Sequence, residues 1–300
     1  MLKYVTISII TFWSVSCQTN TQVEDDKQSL YNEKEMPVKV AGEFVFTEGP
    51  ASDKEGNVYF TDQPHNKIYV YTVDGVLKEF TDSSGRSNGL YFSPDGILYA
   101  CADMDNELWK FNETGQAEVV LEGIDSIAFN GPNDLWINSE GGIYFTDPYY
   151  KRDYWEGEHP ENPVKGVYYL APGSESPVLV ADGFKRPNGI VGNEKEGTLY
   201  VSDIDLDSTY QFEIRDNKLL GERRYFTDMT SDGMTLDESG NLYLTGKGVT
   251  IFSKEGKKLA HIPIDENWTG NVCFGGKDHK TLFITASTGL YTLQMNVKGL

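Results

Sequence analysis

Cysteine and histidine are scarce in this chain of 300 residues. The three cysteines, Cys17, Cys101 and Cys273, are too few for a domain held together by disulfide bonds. The four histidines occur in neither an HxH nor an HExxH pattern, so the sequence has no motif for a zinc site ligated by histidine. A disulfide scaffold and a histidine zinc site are therefore both disfavoured.

Basic residues are also in the minority. The 26 lysines and arginines stand against 46 aspartates and glutamates, which gives a formal net charge of −20. Such a chain repels phosphate backbones and anionic lipid heads, so we expect no nucleic-acid partner and no polybasic membrane binding. Its 39% hydrophobic and 13% aromatic residues suffice for a folded core. Thirty glycines and 18 tyrosines favour turns and strands over helices.

Long hydrophobic runs are missing as well. The apolar stretch at 4–15 has only about twelve residues, which is too short to span a bilayer but typical of a signal peptide. It leads into Ser14-Val15-Ser16-Cys17, which resembles a bacterial lipobox with serine in place of the usual leucine. We predict a signal peptide at 1–17, a polar tether at 18–36, and an exported lipoprotein that is periplasmic or anchored to the outer membrane. An ordinary secretory signal with an incidental cysteine is the alternative.

A short phrase recurs six times in the rest of the chain. A turn glycine is followed by a β-forming residue, an aromatic residue, another β-former and a small polar residue, as in GNVYFTD at 56–62. The aromatic residues of the six copies are Tyr59, Tyr99, Tyr144, Tyr200, Tyr243 and Phe283. Their spacings of 40, 45, 56, 43 and 40 residues match the period of a four-stranded propeller blade. We therefore predict an all-β, six-bladed β-propeller over residues 37–300, with a β-sandwich as the alternative.

The ends of the repeat region predict how the propeller closes. The last repeat stops after its third strand at Met295, whereas residues 38–46 precede the first repeat. We predict that an N-terminal strand from this segment completes the last blade, because closure removes exposed sheet edges. Cys101 and Cys273 fall in blades that are not neighbours, so we predict free thiols in the core rather than a disulfide.

Each repeat carries an oxygen-bearing side chain at the start of its first strand, eight or nine residues before the turn glycine or its equivalent. These residues are Glu48, Asn88, Asn133, Asn188, Asp232 and Asn271. In a propeller the first strands line the central channel, so six such side chains converge on one axis. Carboxylate and amide oxygens are the ligands that Ca²⁺ takes, whereas zinc prefers nitrogen or sulfur. The sequence therefore predicts a hard-cation site, the alternative being ordinary Asn-Gly and Asp-Gly turns.

Four phrases resemble the gluconolactonase and senescence-marker-protein (regucalcin) family. They are EGP at 48–50, GPNDLWINSEGGIYFTDP at 131–148, RPNGI at 186–190 and DGMTLDESGNLYLTG at 232–246. The resemblance implies a six-bladed propeller that opens lactones with one divalent metal, usually calcium. It assigns the metal ligands to Glu48, Asn133, Asn188 and Asp232. A related branch, the diisopropyl-fluorophosphatases, cleaves phosphorus–fluorine bonds at a similar metal ring.

Two departures from the family pattern concern the substrate. Where gluconolactonase-like relatives often have CEH, this chain has Cys101-Ala102-Asp103, so a histidine is missing from the rim. Gly131-Pro132 stands where the regucalcin branch has an arginine ahead of the third-blade asparagine. Both departures argue against gluconolactone itself as the substrate.

The resulting hypothesis is a hydrolase of sugar lactones in which one metal, Ca²⁺ or alternatively Zn²⁺ or Mn²⁺, polarises the carbonyl. Asp232 is the candidate base that activates water.

An insertion at 147–165 explains the 56-residue spacing and predicts a lid over the site. The candidate substrate-binding residues are Arg86, Asn88, Tyr149, Tyr150, Arg152, His159 and Asn271. A phosphotriesterase-like hydrolase and a non-catalytic propeller that binds calcium or carbohydrate are the alternatives. We expect a monomer or a small homo-oligomer.

Overall fold

The structure is a computed structural model that describes residues 1–2, 29–155 and 162–300. Strands and turns make up nearly all of the described chain. In chain order the strands are β1 Val38–Ala41, β2 Thr47–Ser52, β3 Val58–Asp62, β4 Lys67–Tyr71, β5 Leu77–Thr81, β6 Ser87–Phe92, β7 Leu98–Ala102, β8 Glu107–Phe111, β9 Ala117–Leu121, β10 Gly123–Ile124, β11 Ile127–Ala128, β12 Leu135–Ile137 and β13 Ile143–Asp147. They continue as β14 Gly166–Leu170, β15 Val178–Ala181, β16 Pro187–Asn193, β17 Thr198–Asp203, β18 Ser208–Glu213, β19 Arg224–Thr227, β20 Met234–Leu236, β21 Leu242–Gly246, β22 Gly248–Phe252, β23 Lys258–Ile262, β24 Thr269–Gly275, β25 Thr281–Ala286 and β26 Gly289–Gln294. Short 3₁₀ helices occupy Gln63–His65 and Ile204–Leu206.

The strands form six antiparallel four-stranded sheets, as the repeat predicted. Blades 1 to 5 are β2–β5, β6–β9, β12–β15, β16–β19 and β20–β23, and blade 6 is β24, β25, β26 and β1. Strand β1 pairs with β26 as its outer neighbour, so the prediction that an N-terminal strand closes the propeller is confirmed. A small β10–β11 hairpin links blades 2 and 3. The inner strands β2, β6, β12, β16, β20 and β24 pack side by side around the axis.

The apolar core lies between neighbouring blades. Every residue of β13 and of β14 is buried, because each inner sheet face packs against the next blade. The recurring aromatic residue fills this space: the Tyr144 ring lies 5.6 Å from Trp136 and 4.5 Å from Tyr169. The same cluster extends to Leu199 in blade 4. Burying each such side chain stabilises the fold by roughly 1.5–3 kcal/mol relative to leaving it exposed. Every blade needs this contribution, and the phrase that supplies the aromatic residue therefore recurs.

In blades 1, 3 and 4 the second strand of the blade ends in an aspartate. Its carboxylate accepts hydrogen bonds from the backbone of the loop that leads into the first strand of the same blade. Asp62 accepts hydrogen bonds from the backbone of Val45 and Phe46, and Asp203 accepts from Lys185 and Arg186. Asp147 does the same for Asn130 at 3.0 Å. These carboxylates therefore fix the loops at the face where the inner strands begin, which we call the ring face.

Three features outside the blades bear on the sequence predictions. Tyr31, in the segment expected to be a tether, is 8% exposed and packs against blades 5 and 6. Cys101 and Cys273 are free thiols, as predicted. In the part of the chain that the structure describes, no helix has the length and apolar character needed to cross a membrane. Cys17 and His159 lie outside the described residues.

Candidate functional site

Six side chains form a ring at the ring face, one from the start of each inner strand. Glu48, Asn88, Asn188 and Asn271 lie within β2, β6, β16 and β24. Asn133 and Asp232 come just before β12 and β20. All except Asp232 are buried, and Asp232 is partly exposed. The structure thus places all six predicted residues at equivalent points of the six blades.

Glycines next to the ring make room for its side chains. A Cβ atom on Gly233 would lie 1.8 Å from Asn271 Cγ, and one on Gly270 would lie 2.5 Å from Glu48 Oε1. Neither distance is compatible with a side chain. Each of these positions must therefore be glycine because the neighbouring blade fills the space where a Cβ would stand.

Asp232 is the best-connected member of the ring. Its Oδ1 accepts a hydrogen bond from Asn188 Nδ2 at 2.8 Å, and its Oδ2 accepts one from Trp268 Nε1 at 2.6 Å. Asn188 Nδ2 also donates to Tyr150 Oη at 2.7 Å. Burial raises the pKa of Asp232, and the hydrogen bonds from Trp268 and Asn188 oppose that rise. The carboxylate is therefore oriented by donors from two other blades, and Tyr150 of the insertion accepts from one of these donors, Asn188.

Two oxygens of the ring are left without partners. Glu48 Oε2 accepts from Gly49 N at 2.9 Å, whereas Glu48 Oε1 and Asn188 Oδ1 are buried and accept no hydrogen bond. Burial and the neighbouring Asp232 carboxylate raise the pKa of Glu48. Partnerless buried oxygens beside a second carboxylate are costly unless a cation or a proton compensates them.

The chemistry of the donors fits a hard divalent cation. Glu48, Asn133, Asn188 and Asp232 offer carboxylate and amide oxygens, the ligands that calcium prefers. Within the described ranges, no group of three or more His, Cys, Asp or Glu side chains is arranged to hold a metal ion by itself. A metal centre here therefore depends on the asparagine oxygens as well as on the two carboxylates.

Asp134 is a buried carboxyl group that the sequence analysis did not single out. It follows Asn133 at the position where four other blades have glycine, and it accepts from Leu135 N at 3.0 Å. Burial raises its pKa to about 8, while a hydrogen bond from the Asn271 side chain lowers it. The replacement of glycine by aspartate at this repeat position is the sequence signal from which Asp134 could have been found. Asn271 is thus engaged with Asp134 on the axis.

The first part of the insertion folds over the ring face. Tyr150 contacts Asn188, and Arg152 Nε lies 2.6 Å from Asp103 Oδ2. Tyr154 donates its hydroxyl to the same carboxylate, and Trp155 Nε1 donates to the Asp103 carbonyl at 2.9 Å. Asp103, the residue that stands in place of the family histidine, is therefore the anchor of this segment.

Arg86 and Tyr149, two further predicted substrate residues, lie around the same segment, and so does Arg186. The Arg86 guanidinium lies 4.4 Å from the centre of the Tyr154 ring, and Arg186 lies 4.9 Å from that of Tyr150. Tyr149 is farther out, against Trp155 at 6.1 Å between ring centres. The sequence analysis missed Trp268, which lies in the loop before β24 and gave no motif to recognise.

A cavity of about 640 Å³ occupies the channel on the other side of the ring. It is lined by later residues of the inner strands, including Tyr91, Trp136, Val191 and Phe274, and it reaches Asp134 and Asn271. The ring thus lies between the insertion on one side and this cavity on the other.

Known proteins resemble this chain over most of its length. The family model described as "SMP-30/Gluconolactonase/LRE-like region" matches residues 46–288. The gluconolactonase of Zymomonas mobilis is 31% identical over 295 residues, covering 88% of this chain and 82% of that protein. Lactonase drp35 of Staphylococcus aureus is 24% identical over 261 residues, covering 80% and 76%.

Solved structures show the same architecture. A gluconolactonase from Xanthomonas campestris superposes with a TM-score of 0.81 at 27% identity, covering 86% of this chain and 89% of that one. The calcium-binding protein regucalcin from Agrobacterium tumefaciens superposes with a TM-score of 0.74 at 18% identity, covering 89% and 95%; this likeness shows the fold alone. From the family match and the Zymomonas relative, we conclude that the chain belongs to the SMP-30/gluconolactonase/LRE-like family.

Proposed function

We propose that this protein is a metal-dependent hydrolase that opens sugar lactones at the ring. The observation that carries the proposal is the pair of buried, partnerless oxygens on Glu48 and Asn188 beside the oriented Asp232 carboxylate. Relatives named gluconolactonase and lactonase support lactones as the substrate class.

The metal ligands in this proposal are Glu48, Asn133, Asn188 and Asp232. The two carboxylates balance the charge of one divalent cation, and their oxygen donors favour Ca²⁺ over Zn²⁺. When bound, the cation acts as a Lewis acid that stabilises the negative charge developing on the carbonyl oxygen.

Asp232 is the base in this proposal. Trp268 and Asn188 hold its carboxylate in one orientation, so it is ready to take a proton from the attacking water. The water oxygen bonds to the lactone carbonyl carbon, the ring carbon–oxygen bond breaks, and a proton goes to the departing alkoxide. Tyr150, in the first part of the insertion, lies against Asn188 and limits the entry of bulk water.

The experiment is a lactone panel with metal stripping. The protein is treated with a chelator, and Ca²⁺, Zn²⁺ or Mn²⁺ is restored separately while proton release from aldonolactones is followed. We expect activity to vanish on chelation and to return with one of the metals. Asp232→Asn should lower kcat by at least about a hundredfold, whereas the exposed control Asp216→Asn should not change it.

Three outcomes would contradict the proposal. Activity that survives complete chelation would exclude the metal, and full activity in Asp232→Asn would exclude the base. Metal-dependent stabilisation without turnover of any lactone would instead indicate a non-catalytic binding propeller. A fluorophosphate included in the panel tests the phosphotriesterase alternative directly.

A further inference from the structure

Three arginines crowd the mouth of the ring, and their charges are not fully compensated. Arg152 pairs with Asp103, with 2.6 Å between Nε and Oδ2. Arg186 pairs with Asp205, with 3.2 Å between Nη2 and Oδ2. Arg86 forms no ion pair with any residue that the structure describes. Among the described residues, Arg86 is therefore the arginine of the three that has no ion-pair partner.

The position of Arg86 is fixed by its surroundings. Its backbone has a left-handed φ of 49°, and its N–H donates to Asn66 Oδ1 at 2.7 Å. Its guanidinium stacks on Tyr154, which is itself bound to Asp103. Arg86 Nε is buried and has no hydrogen-bond partner within the described part of the chain. A buried cationic donor without an acceptor is a costly arrangement unless a ligand completes it.

Asp103 lies near Arg86 but forms no ion pair with it. Its Oδ2 already receives Arg152, Tyr154 and the side-chain amide of Gln63, the last at 3.4 Å. The charge of Arg86 does contribute to lowering the pKa of Asp103, so the two groups are near each other without forming an ion pair. Within the described residues, Arg86 Nε therefore has no hydrogen-bond acceptor.

We propose that Arg86 binds a carboxylate on the substrate, so that the lactone opened at the ring is an acidic sugar lactone. This inference rests on the proposed function. Arg86 stacks on Tyr154, whereas the contact with the ring is made by Tyr150 through Asn188. We therefore place the carboxylate at the end of the sugar remote from the reacting carbonyl. A guanidinium binds a planar carboxylate through two parallel hydrogen bonds.

The test compares two lactones that differ only at the remote carbon. D-Glucaro-1,4-lactone carries a carboxylate there, and D-glucono-1,4-lactone carries a hydroxymethyl group. We expect the full chain, loaded with its activating metal, to open the acidic lactone with a kcat/KM at least about tenfold higher. Arg86→Gln should reduce this preference by about tenfold or more, and Arg86→Lys should restore part of it. Arg215→Gln, an exposed control at the β18–β19 turn, should keep the preference.

Several results would overturn the assignment. They are equal rates on the two lactones, a preference that persists in Arg86→Gln, and a stronger preference for a phosphorylated lactone. Circular dichroism and a thermal melt of each variant separate loss of fold from loss of recognition. If no lactone is opened with any metal, the proposed function fails, and calorimetric binding of D-glucarate against D-gluconate decides the carboxylate site by itself. Tighter binding of glucarate that is lost in Arg86→Gln would support it, and equal binding would refute it.

Discussion

At the residue scale, the candidate site depends on side chains that meet only because six blades place them on one axis. Asp232, Asn188 and Trp268 are far apart in sequence, yet Asn188 and Trp268 each donate to the Asp232 carboxylate, at 2.8 and 2.6 Å. The asparagines and acids of the ring were predictable because they recur at a fixed offset from each turn glycine. Trp268 and Asp134 were not, because each occurs once and acquires its role only from a neighbouring blade.

Gly233 provides a test of how tightly the ring is packed. Because a Cβ at this position would stand 1.8 Å from Asn271 Cγ, Gly233→Ala should displace Asn271 and destabilise the fold by roughly 1–3 kcal/mol. We expect a lower midpoint of urea unfolding and weaker metal-dependent stabilisation. Gly42→Ala is the control, since a Cβ there would lie 3.0 Å from the flexible Lys39 side chain and in ordinary contact, at 3.8 Å, with the Thr288 carbonyl oxygen. Equal midpoints for the two variants would show that the ring accommodates the extra methyl group.

At the scale of elements, closure of the propeller depends on the short strand β1. The strand has only four residues, of which three have partners in β26, and Lys39 adds an ion pair to Glu266 at 3.1 Å. Tyr291 of β26 donates its hydroxyl to the same Glu266 oxygen at 2.7 Å. Sequence reasoning located this strand from the truncated last repeat. The strand ends at Ala41 rather than at Phe46 because Asp62 accepts hydrogen bonds from the backbone of Val45 and Phe46 and so holds these residues in a loop.

The Glu266 contacts predict a pH dependence of stability. The hydrogen bond from Tyr291 and the nearby Lys39 hold the pKa of Glu266 below its usual range. A carboxylate with a lowered folded-state pKa stabilises the fold above its unfolded pKa, and this contribution is lost as the pH falls through the folded value. Glu266→Gln should therefore destabilise the protein at pH 7, by at most about 1 kcal/mol, and have no effect near pH 2.

Urea unfolding midpoints at the two pH values would measure this difference. Glu113→Gln, in the exposed β8–β9 turn, removes the same charge without these contacts and controls for net charge. A deficit in Glu266→Gln that stays constant with pH would mean that lost packing, rather than the carboxylate charge, is responsible.

At the scale of the whole molecule, the propeller carries a net charge that excludes some partners without indicating a substrate. The −20 charge disfavours nucleic acid, whereas Arg86, which has no ion-pair partner among the described residues, favours an anionic ligand at the mouth of the ring. Whether a site on an acidic protein is locally positive depends on which charged groups pair in space. The amino-acid composition does not record that pairing.

We also propose that the whole protein is exported and anchored through a lipidated Cys17. The proposal comes from the apolar run at 4–15 and the small residues before the cysteine. Radiolabelled palmitate should be incorporated into the wild-type chain expressed in bacteria, and the protein should sediment with membranes. Cys17→Ser should carry no label and appear in the soluble fraction, with Cys273→Ser as the control. An unlabelled wild-type chain would favour the ordinary secretory signal.

The sequence alone determined the number of blades, the closing strand and the six ring positions. It could do so because burial between blades demands the same short phrase at each repeat, and that demand is visible as a period. The tertiary structure alone decided which ring oxygens lack partners, that Asp103 anchors the first part of the insertion, and that Arg86 has no counterion among the described residues. These features depend on distances between blades, which residues such as Gly233 and Tyr154 set through packing that no sequence interval encodes.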